Sequence, residues 1–189
     1  MPEKSVRSIE EQIQDLAKKQ LAGEKYYLKT EPINSEIENA LKKAPSKSGG
    51  FGANIPNIKI FLETKQMRII PVMIEVKGKK GNFIKLTADG KVDNKKKDGA
   101  ENFTNVNKYA VNGAVHYANA IVEHSISYKE AVAVGINGYY DESDMLTTEI
   151  DYDFIESFIK AQNKLLIKDV IKYKNKNLPK LPSVPQPPR

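Results

Sequence analysis

The run Ile69-Ile70-Pro71-Val72-Met73-Ile74-Glu75-Val76-Lys77 constrains this chain more than any other segment. It reads as a buried strand, yet it ends in a carboxylate and an ammonium two residues apart, which a period of two places on one face. Charges are costly to remove from water, so a strand that carries both must gain something from them, most simply metal-assisted phosphodiester chemistry. Pro71 has no N–H to give a ladder, which predicts a bulge or a locally unpaired position near the strand's start. Residues 57–64 read as a second strand. The polar turn at Thr64-Lys65-Gln66 joins it to residues 68–77, and an antiparallel hairpin is the simplest pairing.

Helices surround this hairpin in sequence. Ser8-Ile9-Glu10-Glu11 reads as a capping box, followed by apolar residues at helical spacing up to Gly23. Pro32 opens a second helix over 33–44, with Ile33, Ile37, Ala40, Leu41 and Ala44 on one stripe, and Pro45 ends it. Gly49, Gly50 and Gly52 make Ser46 to Asn54 a loop able to approach a backbone or a phosphate closely. Residues 78–104, rich in Gly, Lys, Asn and Asp, read as an exposed excursion. A helix is expected over 105–122, a fully buried central strand at Ala131 to Ile136, a short strand at 145–150 and a long helix over 152–173. The expected fold class is α/β, a mixed central sheet flanked by helices. Residues 1–30 form an N-terminal helix and connection, and residues 31–176 form the main domain. Residues 177–189 hold five of the ten prolines, the composition of a linker leading to a further C-terminal domain.

The composition, 40% hydrophobic and 29% charged, is that of a globular protein, and no apolar run reaches the roughly 20 residues of a membrane span. Zero cysteines exclude disulfides and thiolate-held zinc and fit a cytoplasmic setting. A net charge of +6 favours an anionic partner, most simply nucleic acid. The cations are mostly lysine, with arginine only at Arg7, Arg68 and Arg189, so phosphate contact is better supported than base reading. Compositional bias alone is the competing explanation of the charge.

The element order, the Gly-rich approach Gly49 to Asn54, the strand entrance Pro56-Asn57 and the element Glu75-Val76-Lys77 together resemble the PD-(D/E)xK nuclease superfamily over roughly residues 33–137. The closest flavour is the restriction endonuclease-like domain of type I, type ISP or type IIG restriction-modification enzymes. That resemblance implies a Mg²⁺-dependent endonuclease, with Mn²⁺ able to substitute, acting on double-stranded DNA and joined to a C-terminal methyltransferase or helicase domain. It implies Glu75 and Asn57 as metal ligands and Lys77 as the catalytic lysine. Asn57 departs from the pattern, which has Asp there; an amide oxygen carries no charge, and a hard cation favours carboxylate. We read Asn57 as an inactivating substitution in preference to a natural impairment.

Members of the superfamily also use a glutamate from the helix before the first strand. Here Glu36 is favoured over Glu38, which completes a possible capping box with Ser35; helix-terminus electrostatics is the alternative for both. Tyr109, Asn112, His116 and Asn119 form one polar helical stripe, facing either a DNA cleft or solvent, while the Gln-x-x-x-Tyr pattern of RecB-type nucleases is missing because Gly113 precedes Tyr117. Lys79, Lys80 and the run Lys95-Lys96-Lys97 are candidates to track a DNA backbone or are solvated loops. The expected DNA contacts are Lys79, Lys80, Asn112 and His116. A nuclease-derived DNA-binding or scaffold module without catalysis, and a repair or recombination nuclease of the same fold, are the rival readings.

Overall fold

A computed structural model describes residues 7–156. Its elements run α1 (Ile9–Gln20), β1 (Tyr26–Leu28), α2 (Ser35–Lys43), β2 (Ile58–Glu63), β3 (Ile69–Lys77), α3 (Phe103–Lys108), α4 (Ala110–His124), β4 (Glu130–Tyr140) and β5 (Leu146–Glu156). The strands form one mixed sheet in the order β1-β2-β3-β4-β5, parallel only between β3 and β4. The α4 crossover makes that parallel pair possible, since parallel neighbours need a long connection. Helices cover both faces, and the fold is the α/β, restriction endonuclease-like arrangement expected from the sequence.

Alternation along β3 divides its side chains between two cores. Ile70, Val72, Ile74 and Val76 meet Ile13 of α1 together with Ile58, Val132, Val134 and Ile136. Met73 faces the other way, toward Ile37 and Leu41 of α2 and Tyr117 and Ile121 of α4. Two glycines seat α1 on its face: a Cβ on Gly78 would lie 2.5 Å from Glu10 N, and one on Gly138 would collide with the Ile13 side chain. The Ser8–Glu11 capping box forms as the sequence predicts. Pro71 sits opposite Phe61 in an unbroken β2–β3 register, while the β4 pairing begins only at Val72. Pro71 thus lies where its strand has a single partner, so its missing donor costs the sheet little.

Several expectations change. The short edge strand β1 was not expected, because three residues are too few to show a period. The cap of α2 is Asn34, whose side chain accepts from Ile37 N; Glu38 accepts from Ile33 N and from Lys59, so the Ser35–Glu38 box is not the one used. The helix expected over 105–122 is two helices, broken where Tyr109 turns to extended backbone (φ −105°, ψ 141°). The final strand is longer than expected, and residues 152–156, expected to begin a helix, continue β5. The rest of that helix and the Pro-rich tail lie outside the described residues.

Residues 78–104 are anchored, not a free excursion. Asn112 is fully buried and binds Lys85 like a strand partner, accepting from its N–H (2.9 Å) and donating to its carbonyl (3.1 Å), while also donating to Asn94 Oδ1 (3.0 Å). The same segment caps α4, whose Ala110 and Val111 N–H groups donate to the carbonyls of Asn82 and Phe83. Those contacts satisfy donors that every helix N-terminus leaves open. No helix among the described residues is long and apolar enough to cross a membrane.

Candidate active site

Glu75 lies near the C-terminal end of β3, 1% exposed, directly beneath α4. Two glycines let the helix come this close. A Cβ on Gly113 would stand 3.2 Å from Glu75 Cγ and 3.1 Å from the Val106 carbonyl; Gly135, the β4 neighbour of Glu75, would place its Cβ 2.5 Å from Val111 N. The Gly113-x-x-x-Tyr117 spacing therefore has a use in this chain. The glycine makes room for the carboxylate, and Tyr117, one turn on, comes up beside it. Burial first, then the negative charge of Glu75 and hydrogen bonding with its carboxylate, and last the charge of Glu10, hold the Tyr117 phenol far above its ordinary value. It stays neutral, and its hydroxyl donates to the Ile55 carbonyl at 3.4 Å.

Lys77 stands two residues along the same face, 14% exposed, with Nζ 2.9 Å from Glu75 Oε1. A second ammonium, Lys47 from the Gly-rich loop, lies 2.6 Å from the same oxygen. Glu75 Oε2, equally buried, has no hydrogen-bond partner within 3.5 Å among the described residues, though the Tyr117 hydroxyl lies close to the carboxylate. A buried acceptor without a close partner is costly, so this is the oxygen a further partner would take.

Asn57 precedes β2 and is buried with both ends of its amide engaged. Its Oδ1 accepts from Val76 N at 2.8 Å, and its Nδ2 donates to Glu10 Oε1 at 3.4 Å. Val76 N can only donate, which fixes the orientation of the amide. An aspartate could keep the first contact but would face Glu10 with like charge. Glu10 was overlooked in the sequence because the first turn of a capped helix is an ordinary place for glutamate. Its arrival here depends on Gly78 and Gly138, which are distant in sequence.

Glu36 is elsewhere. Its Oε1 accepts from Ile126 N (2.6 Å) and Ser127 N (2.7 Å), closing the turn after α4, and those backbone contacts hold its carboxyl below the usual range. Glu38 holds the buried Lys59 at 2.8 Å. Neither glutamate of α2 joins Glu75. Asn112 and His116 are buried too, so the expectation that they contact DNA fails; the stripe on α4 is polar because it binds neighbouring backbone, with His116 Nε2 donating to the Pro45 carbonyl at 2.9 Å. Lys79 and Lys80 are exposed just past the end of β3, and Lys80 lies over the Tyr139 ring.

Whether these residues suit a hard divalent cation turns on their oxygens. Among the described residues no three His, Cys, Asp or Glu side chains cluster, so a cage made only of protein ligands is absent. Mg²⁺ does not require one: it is commonly held by one or two carboxylates, with water and substrate phosphate completing its shell. Glu75 offers one such carboxylate, and Asn57 ties the Glu10 carboxylate to the backbone of Val76, the next residue on the same strand.

By architecture the described part of the chain is an α/β domain of restriction endonuclease-like fold, and it carries a buried Glu-x-Lys strand. Over 107 residues, 56% of its length, the chain is 36% identical to the type II restriction enzyme and methyltransferase RM.BcgI of Heyndrickxia coagulans. The match spans 15% of that much longer protein. No family model and no solved structure matches the chain.

Proposed function

We propose that this chain is the Mg²⁺-dependent DNA endonuclease domain of a restriction-modification enzyme, joined in the full-length protein to a methyltransferase domain. The observation that carries the proposal is the buried Glu75 carboxylate, with Lys77 and Lys47 on one oxygen and no partner within 3.5 Å of the other, in a chain similar to part of a restriction enzyme and methyltransferase. Glu75 and Glu10 would hold the cation, which supplies Lewis-acid polarisation of the phosphate and a lowered pKa for water. Lys77 Nζ would hydrogen-bond the attacking water and offset charge growing on the phosphoryl oxygens. Tyr117, kept neutral, and the low seat of α4 exclude bulk water behind Glu75, so the ammonium and carboxylate act in a medium of low dielectric. Exposed Lys79 and Lys80 would meet the DNA backbone.

Asn57 supports the rival reading, a nuclease-derived DNA-binding module, because it supplies an amide where the resemblance calls for a carboxylate. Plasmid cleavage with Mg²⁺ separates the two. Cleavage by the Asn57→Asp protein that is lost on Lys77→Ala supports the endonuclease; cleavage indifferent to Lys77→Ala sinks it. An Asn57→Asp protein that binds duplex DNA but neither Mg²⁺ nor Mn²⁺ is the non-catalytic module.

A further inference from the structure

The loop that follows α2 is built to present one side chain. Its base is the Pro45 carbonyl, which accepts from Asn54 Nδ2 and His116 Nε2, each at 2.9 Å. Asn54 Nδ2 also lies within hydrogen-bond distance of the Leu41 and Ala44 carbonyls, which ties the loop to the end of α2. Within the loop, Gly49 N donates to the Ser46 carbonyl and Ser46 N to the Gly50 carbonyl. Gly49 has φ +85°, and a Cβ there would stand 2.7 Å from the Phe103 ring. Lys47 is thereby held with its stem against the site and 30% of its side chain open to solvent, its Nζ on Glu75 Oε1.

Lys47 and Lys77 share one carboxylate oxygen, but they differ in freedom. Lys77 is carried by a central strand, whereas Lys47 comes from a loop and can reach an incoming ligand by rotating its own side chain. A phosphodiester offers that ammonium an anionic acceptor of the same kind. We propose that Lys47 is a second DNA-binding cation of the site: when duplex docks, it exchanges Glu75 for a backbone phosphate and leaves Oε1 to Lys77. The inference rests on the proposed reading only in taking DNA as the ligand, and it does not require cleavage.

The test is duplex binding by fluorescence anisotropy in EDTA across a salt series, for the protein and for K47Q, K47R, E75Q and K47Q/E75Q. K47Q is expected to weaken binding about three- to tenfold and to lower the salt slope by about one, while K47R retains most of the affinity. E75Q is expected to tighten binding several-fold by releasing Lys47, and this gain disappears in the K47Q background. An equal gain in both backgrounds means general repulsion by Glu75 and overturns the exchange, as does an unchanged salt slope in K47Q or no duplex binding at all. K47M, which keeps the stem, replaces K47Q if that variant melts below the assay temperature. The two readings fail separately: non-additive binding without cleavage by Asn57→Asp removes the endonuclease and keeps the exchange, and cleavage with additive binding does the reverse.

Discussion

Asn57→Asp makes a prediction that reaches beyond activity. In the present structure the Asn57 amide donates to Glu10 Oε1 at 3.4 Å, so an aspartate there sets two carboxylates against each other at that separation. Coulomb's law at an effective dielectric of about 20 gives roughly 5 kcal/mol of repulsion. Uptake of one proton limits the loss at neutral pH to about 4 kcal/mol, three units at 1.36 kcal/mol each. Glu10 is half-buried, and solvent screening lowers the expected loss further, to about 1–3 kcal/mol. In EDTA the variant should therefore melt roughly 3–10 °C below the parent. The deficit should be larger at pH 8 than at pH 5, because a proton shared by the pair relieves the repulsion. A divalent cation between the carboxylates converts the repulsion into a binding site, and at a hundred times its dissociation constant it restores about 2.7 kcal/mol. Differential scanning fluorimetry with and without Mg²⁺ or Mn²⁺ measures both quantities. A variant as stable as the parent in EDTA, or one whose melting temperature ignores the metal, would refute the placement of Glu10 and Asn57 at a common cation site.

The other predictions concern the glycines, the segment over α4 and Glu36. Gly135→Ala drives a methyl into the backbone of Val111 and should cost about 1–3 kcal/mol in chemical denaturation. Gly113→Ala gains about 1 kcal/mol of helix propensity against a similar steric cost, so its stability should change little while plasmid cleavage in the Asn57→Asp background falls as Glu75 is displaced. Asn112→Ala takes the acceptor from the Lys85 N–H and the donor from Asn94 Oδ1, while the Lys85 carbonyl keeps the Asp93 N–H, and should cost about 1–3 kcal/mol, with duplex affinity unchanged once the protein is folded. Glu36→Gln should leave cleavage intact. The parent's Glu36 carboxyl is held below its ordinary value, so its contribution to stability is present above the unfolded pKa and fades as pH falls through the folded one; the variant's melting temperature should accordingly vary less with acidification.

The sequence was most legible where one local rule acts alone. The period of two in β3 placed Glu75 and Lys77 on one face, and the ion pair at 2.9 Å follows from that period. Ser8 and Glu11 announced the start of α1, and the apolar stripe of α2 announced its buried side. It was less legible where a residue could serve two purposes. Asn112 and His116 look like a DNA-facing stripe because a polar side chain that binds neighbouring backbone has the same composition as one that binds solvent. Glu36 suits a cation by type, but its carboxylate closes the turn after α4, a contact made across 90 residues.

By itself, then, the sequence determined the first two helices, the buried central strands and the Glu-x-Lys pair, since each depends on local periodicity and the cost of burying charge. Only the tertiary structure decided which other side chains gather about this strand. Lys47 and Tyr117 reach Glu75 from a loop and a helix, Asn57 and Glu10 meet beside Val76, and close approaches at Gly113 and Gly135 seat α4 while those at Gly78 and Gly138 seat α1. A missing Cβ leaves no periodic trace in a sequence; its consequence is how closely two backbones can pack.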